Sequence, residues 1–278
     1  MKIDPLHGLR FDLPRLAALA QRRHALRLLG GLGLAGGLPL LGGVGRSHAA
    51  AGTPASGKAV LVHCSPVPRA TAGPFPGDGS NRVRGGLANA LALSGIVRSD
   101  IRRSIGGASG TAAGVPLRVT LTLVNTGAAC AALAGHAVYL WQNDRDGLYS
   151  MYSGGAHEQN YLRGVQVSDD AGRLSFQTIV PGCYPGRWPH LHFEVFRTLA
   201  AASNGGNSVL TSQLALPAAA CEQVYASAGY GSSVARLAAL SLDRDFVFGH
   251  DRAAHQMASI SGSVAGGLGA EWVVGLAA

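Results

Sequence analysis

The chain has 278 residues, 47% apolar and only 14% charged, a composition that excludes a disordered polymer and fits one large domain or two small ones. The formal net charge is +8, but residues 1–51 hold seven Lys/Arg and two Asp/Glu, and the sixteen and thirteen that follow leave only +3. So small a charge, without a basic run, argues against a nucleic-acid partner.

The first element in chain order is a targeting segment over 1–51. The pair Arg22-Arg23 precedes an apolar, glycine-rich stretch over 28–44, and Ala49, Ala50 and Ala51 offer a small-residue cleavage site. The twin arginine resembles a bacterial twin-arginine export signal; Sec export and a retained anchor are the competing readings. Glycines and Pro39 interrupt the stretch, which argues against a stable transmembrane helix. The expectation is an exported chain, periplasmic or extracellular, with no stable membrane insertion once the signal is removed.

Residues 52–115 lack periodicity and are rich in Gly, Pro and Ser, with "RATAGPFPGDGSN" and "ALSGIVRSDIRRS". They read as an irregular arm over a core. The pattern changes at Pro116. "PLRVTLTLV" alternates Leu117, Val119 and Leu121, followed by Leu123 or Val124, with Arg118, Thr120 and Thr122, as a half-buried strand does. "HAVYLWQ" (136–142), "LRGVQVS" (162–168), "RLSFQTIV" (173–180) and "HLHFEVF" (190–196) are further strand candidates, and "DDAG" (169–172) is a turn. Short strands at regular spacing predict an all-β fold, a β-sandwich. Its core and a loop-rich C-terminal extension occupy 116–278. "PAAACEQVYASAGY" suggests a short helix and "SLDRDFVFGH" a late strand, while the tail from 258 shows no clear period. Four cysteines, Cys64, Cys130, Cys183 and Cys221, lie beyond the signal. In an exported chain that number suggests two disulfides, with three pairings open and a buried thiol the alternative.

The chemistry concentrates in "YPGRWPHLHFEVF" (184–196). Side chains two apart on a strand point the same way, so His190, His192 and Glu194 share one face while Leu191, Phe193 and Val195 share the other. Two histidines on one face suit a single metal ion. Tyr149 follows the glycine-containing turn of "WQNDRDGLYS", and Tyr184 stands in a tight turn six residues before His190. Phenolate is a hard anionic donor that suits Fe(III), whereas zinc sites favour His, Cys and carboxylate. Singly, such a tyrosine is a packing residue and an HxH pair a polar sheet face; together they form a candidate ligand set. Arg163, Arg173 and Asp169 read as solvated strand or turn residues, His157 and Glu158 as a surface loop, and His63 and His136 as structural. Trp188 packs beside Arg187 or fills the core edge. Segment 71–81 either covers the cleft or is a plain surface turn.

"DGLYS", "LRGVQVSDDAGRLSFQTIVPGCYPGRWPHLHFEVF" and "TAGPFPGDGSN" resemble the intradiol ring-cleavage dioxygenases, the protocatechuate and catechol 1,2-dioxygenase superfamily. The resemblance runs over about 64–196, and more weakly to about 248. It implies one Fe(III) per chain on Tyr149, Tyr184, His190 and His192, with Arg187 as the active-site arginine and Tyr184 as the ligand that leaves and takes a substrate proton. The implied partners are a small aromatic diol and O₂, the implied product a cis,cis-muconate-type diacid, and an oligomer is compatible with it. The chain departs from the cytoplasmic enzymes in its shorter span from Tyr184 to His190, its export signal, and its lack of a long helical N-terminal dimerisation domain. It is closer to the single-domain secreted-type branch. A non-catalytic sandwich that keeps the motif by descent, and a zinc or copper enzyme on the same ligands, are the rival readings. The substrate itself, catechol, hydroxyquinol or a larger aromatic, stays open.

Overall fold

The computed structural model describes residues 64–277; the segment expected to direct export, His63 and the start of the arm lie outside the described residues. Strands dominate. β1 (Asp78–Val83) and β2 (Gly86–Asn89) form a small antiparallel hairpin inside the arm, where the sequence suggested no regular element. β3 (Pro116–Asn125), β4 (Ala131–Ala132), β7 (Arg173–Ile179), β10 (Ser259–Ser263) and β11 (Gly267–Leu276) form one sheet, in which β11 and β7 flank β3. β5 (Ala137–Trp141), β6 (Arg163–Val167), β8 (His190–Phe196) and β9 (Leu210–Ala215) form the other, in the order β6-β5-β8-β9 and antiparallel throughout. Two short helices, α1 (Ala218–Tyr225) and α2 (Gly231–Ala238), follow β9. Among the described residues no helix is long and apolar enough to cross a membrane.

The sandwich core follows from alternation. Leu117, Val119, Leu121 and Leu123 of β3 meet Val138 and Leu140 of β5 and Leu191, Phe193 and Val195 of β8, all essentially buried. Each such aliphatic side chain taken out of water contributes about 1.5–3 kcal/mol. β5 and β8 are buried on their other face too, and this is what positions the site. Tyr139, Trp141 and Phe196 pack there beneath Ala90, Leu91 and Ile96 of the arm. All seven residues of β8 are therefore buried, including His190, His192 and Glu194.

One local expectation is borne out and three are corrected. "DDAG" does close a turn, with Asp169 Oδ1 accepting from the Ala171 and Arg173 amides, but it carries the chain from one sheet to the other. "SLDRDFVFGH" is not a strand: the Asp245 carboxylate accepts from the Val247 and Phe248 amides at 2.8 and 3.1 Å and curls the chain. The tail is not irregular: β10 and β11 form a hairpin, and β11 runs parallel to β3. Its glycines and alanines hide the period that Leu268, Ala270, Val274 and Leu276 keep by burial. Finally, one disulfide is present, Cys64–Cys130, while Cys183 and Cys221 are free and buried.

That disulfide spans 66 residues and ties the start of the arm to the turn after β3. Closing a loop of such length should stabilise the fold by about 2–4 kcal/mol. The paired substitution Cys64→Ser with Cys130→Ser should lower denaturant stability by that amount. Two thiols per chain should react with a thiol reagent after unfolding without reductant, and almost none before; finding no reactive thiol in the unfolded chain would show a second disulfide instead.

Candidate metal centre

The register of the second sheet sets one row of side chains across all four strands. Arg163 pairs with Trp141, Trp141 with His192, and His192 with Gln213. All four are buried. Trp141 and His192 stack with ring centroids 5.0 Å apart and planes 10° from parallel, which fixes the imidazole plane. His190 is fixed differently, by a 2.5 Å contact from Nδ1 to the Trp188 carbonyl. A carbonyl only accepts, so Nδ1 carries the proton and Nε2 keeps its lone pair. The two Nε2 atoms lie 3.0 Å apart.

The tyrosines come from two loops beside that strand. Asp144 accepts from the Asp146 and Leu148 amides and turns the chain into Tyr149. Gly147, at φ +87°, is required here: a Cβ would also sit 3.1 Å from Tyr184 Cβ. Tyr184 rides on the loop between β7 and β8, which the helical segment clamps. Tyr225 and Tyr230 donate to the Pro181 and Val180 carbonyls, Ser233 Oγ accepts from the Cys183 amide, and Arg236 donates to the Cys183 carbonyl. Tyr184 Oη lies 3.4 Å from Tyr149 Oη and 3.3 Å from His190 Nε2. The four residues named from the sequence thus come together, and Arg187 joins them with Nη1 3.5 Å from His190 Nε2.

Glu194 shares the histidines' strand face but stands apart from the cluster. It accepts from Thr211 Oγ1, and burial, followed by the neighbouring Asp78, pushes its carboxyl up to about 8. Trp188 fills the core and donates to the Leu216 carbonyl. Arg173 and Asp169 are exposed as expected; His136 is partly exposed, and His157 with Glu158 stays in a surface loop. Arg163 reverses its reading, because it is fully buried.

Sequence reasoning missed three supporting residues. Asp245 takes a hydrogen bond of 2.9 Å from Arg187 Nε and another from the Trp188 amide. Gln213 accepts from Arg187 Nη2 at 2.6 Å and donates to the Thr71 carbonyl. Trp141 orients His192. No spacing signals them, because they reach the site from separate strands and a distant turn. Segment 71–81 does cover the centre: Phe75 packs on Tyr149 at 5.2 Å, and a Cβ on Gly73 would touch His192 Cε1 at 3.3 Å.

The electrostatics are consistent with a site built for a cation. Burial and the Arg187 charge hold His190 well below its ordinary range, and burial with His190 does the same to His192. Both rings are therefore neutral, as a ligand must be. Burial raises both phenols, Tyr149 further through its neighbour Tyr184; a trivalent ion among them would draw those protons off. Donor separations of 3.0–3.4 Å match adjacent ligands each roughly 2 Å from one ion. His192 Nδ1 is buried without a hydrogen-bond partner. Two phenol oxygens beside two neutral imidazoles are a donor set that fits Fe(III).

Comparison with known proteins agrees with this geometry. The family model described as Dioxygenase matches residues 100–202. Residues 100–202 are thus similar to this family. The match includes Tyr149, Tyr184, Arg187, His190 and His192. An intradiol ring-cleavage dioxygenase from Tetranychus urticae superposes on 76% of this chain and 94% of its own, with 24% identity and a TM-score of 0.56. The chain thus shares the β-sandwich fold of that protein. Two further similar structures are the dioxygenase domain of a carbohydrate-binding fusion from Streptomyces sp. SirexAA-E (23% identity, 76% of this chain and 98% of that one, TM-score 0.46) and catechol 1,2-dioxygenase from Pseudomonas arvilla C-1 (19%, 64% and 56%, TM-score 0.41). No curated protein sequence matches the chain.

Arg187 and Asp245 are 4% and 2% exposed. Removing one partner of a buried ion pair leaves the other uncompensated and costs about 3–5 kcal/mol. Asp245→Ala should show that loss in chemical denaturation, and Asp245→Asn, which keeps an acceptor, a smaller one. An unchanged midpoint in Asp245→Ala would mean that Arg187 finds its compensation elsewhere.

Proposed function

We propose that the chain is an exported intradiol dioxygenase that uses one Fe(III), held by Tyr149, Tyr184, His190 and His192, to cleave a catechol-type diol with O₂. Both oxygen atoms enter the product, a cis,cis-muconate-type diacid. The observation that carries this reading is the convergence of two phenol oxygens and two imidazole nitrogens, linked in succession by separations of 3.0–3.4 Å, beside a buried guanidinium. The similarity of residues 100–202 to the dioxygenase family and the fold support it.

Bound Fe(III) would supply the Lewis-acidic, electron-accepting centre at which a deprotonated diol becomes reactive toward O₂. The chain's own residues do the rest. Trp141 and the Trp188 carbonyl hold the imidazoles in fixed orientations. Both tyrosines lie on loops, and Tyr184 is slightly the more exposed residue, 8% against 3% for Tyr149. Its oxygen would be the one to accept a diol proton, which is general-base work. Arg187, oriented by Asp245 and Gln213, stabilises the negative charge that grows on the ring and its oxygens. The segment over 71–81 excludes water. The resemblance to the secreted branch and the Arg22-Arg23 signal make export part of the same proposal. Arg22→Lys with Arg23→Lys should then abolish export; unchanged export would favour Sec, and an uncleaved chain in membranes would favour an anchor.

Iron-loaded protein should consume catechol and O₂ one to one. Arg187→Ala, assayed well below its unfolding midpoint, should leave the resting spectrum nearly unchanged and lower turnover by roughly 10²–10³. Tyr184→Phe should retain iron and bind catechol but turn over slowly, whereas Tyr149→Phe should bind iron weakly. A Tyr184→Phe variant that loses iron, beside an active Tyr149→Phe, would reverse the two tyrosine roles. No ring cleavage of catechol, hydroxyquinol or protocatechuate by iron-replete protein would favour the non-catalytic reading.

A further inference from the structure

Arg163 is the largest buried cation that the reading above leaves without a task. It is 0% exposed, and no ion pair compensates it among the described residues. A buried charge of this kind needs its hydrogen bonds filled. Arg163 fills them from three places. Nη2 donates to the Phe75 carbonyl at 3.0 Å and Nη1 to the Pro76 carbonyl at 2.6 Å, both in the segment covering the site. Nε donates to Ser150 Oγ at 3.0 Å and Nη2 to the Ser150 carbonyl at 2.9 Å, in the residue after Tyr149. Nη1 also reaches Tyr139 Oη at 3.1 Å, in the sheet floor.

Those three places do not otherwise depend on one another in sequence, and each matters to the centre. Phe75 packs against Tyr149 and Tyr152, Gly73 lies over His192, and Ser150 continues directly from Tyr149. The guanidinium is planar and cannot lose its proton, so its donors leave in fixed directions. A lysine in its place offers a point charge on a flexible stem and cannot bridge three acceptors in one plane.

We propose that Arg163 is a positioning residue, a latch that fastens segment 73–77 to the Tyr149 turn and so keeps the wall of the substrate site in place. Closing the wall is a property of the chain alone; its effect on diol binding rests on the function proposed above. Further contacts make the latch local rather than global. The Gly77 amide donates to Tyr152 Oη, Tyr152 Oη donates to Asn81, and Asn81 donates to the Pro74 carbonyl. These hold the segment near the protein when the guanidinium is removed, so its loss should loosen the wall without unfolding the sandwich.

The test compares the parent with Arg163→Met and Arg163→Lys, as full-length folded chains. Amide hydrogen exchange is read first on metal-free protein. In Arg163→Met, peptides covering 73–77 and 149–153 should exchange at least about 10-fold faster, the equivalent of one or two lost hydrogen bonds, while β8 stays protected. Arg163→Lys should fall between, and it also serves if Arg163→Met does not fold. Anaerobic titration of iron-loaded protein with catechol is read second. Arg163→Met should keep its iron and weaken catechol binding about 10-fold. Unchanged exchange in both peptides would overturn the latch. Faster exchange throughout β8 would make Arg163 a general structural residue and overturn it equally. Faster exchange at 73–77 and 149–153 in a protein that takes up no iron would sustain the latch and sink the functional reading instead.

Discussion

The structure depends on one constraint: the outer face of β8 must be buried without losing its polar side chains. On a strand the inner face of the sandwich is satisfied by Leu191, Phe193 and Val195. The opposite face carries two imidazoles and a carboxyl, which water would ordinarily cover. Here the arm covers them. The Tyr139 and Trp141 rings form a floor, Phe75 and Gly73 form a roof, and the polar atoms that remain inside face one another. Four donors linked in succession at 3.0–3.4 Å are what that enclosure leaves. An enclosed set of lone pairs with no protein cation at its centre is a poor arrangement by itself and a good one around a metal.

The two buried arginines show how the chain separates charge from the centre while keeping it close. Arg187 is neutralised by Asp245 and supported by Gln213, so one of its nitrogens is free to face His190. Two phenylalanines flank it, with Phe246 4.5 Å from the guanidinium carbon. Among the described residues Arg163 pairs with no carboxylate and is held by carbonyls and hydroxyls instead. The first arrangement directs a charge into the site. The second converts a charge into a set of directed hydrogen bonds that join loop, arm and sheet.

What the sequence disclosed follows the range of the forces involved. The HxH alternation is local, and the two tyrosines stand beside turn residues, so Tyr149, Tyr184, His190, His192 and Arg187 were legible before any coordinates. The β3 alternation was legible for the same reason. Arg163 was misread because strand alternation says which side a residue is on, and not whether a distant arm covers that side. Asp245 stands just before Phe246, Val247 and Phe248, apolar residues that imitate a strand, and only its carboxylate-capped turn distinguishes them. β11 was hidden because glycine and alanine carry little period; its partner β3 lies some 150 positions earlier. The disulfide pairing is likewise a fact of tertiary proximity, which no spacing encodes.

The most direct test of the central claim is metal analysis of the purified protein, read together with its visible and resonance Raman spectra. Two phenolates on one ferric ion should give about one iron per chain and a reddish colour with enhanced tyrosinate vibrations. Tyr149→Phe and Tyr184→Phe should each remove part of that signature. Colourless protein holding stoichiometric zinc after growth with ample iron, or iron whose spectrum neither tyrosine substitution alters, would contradict the account.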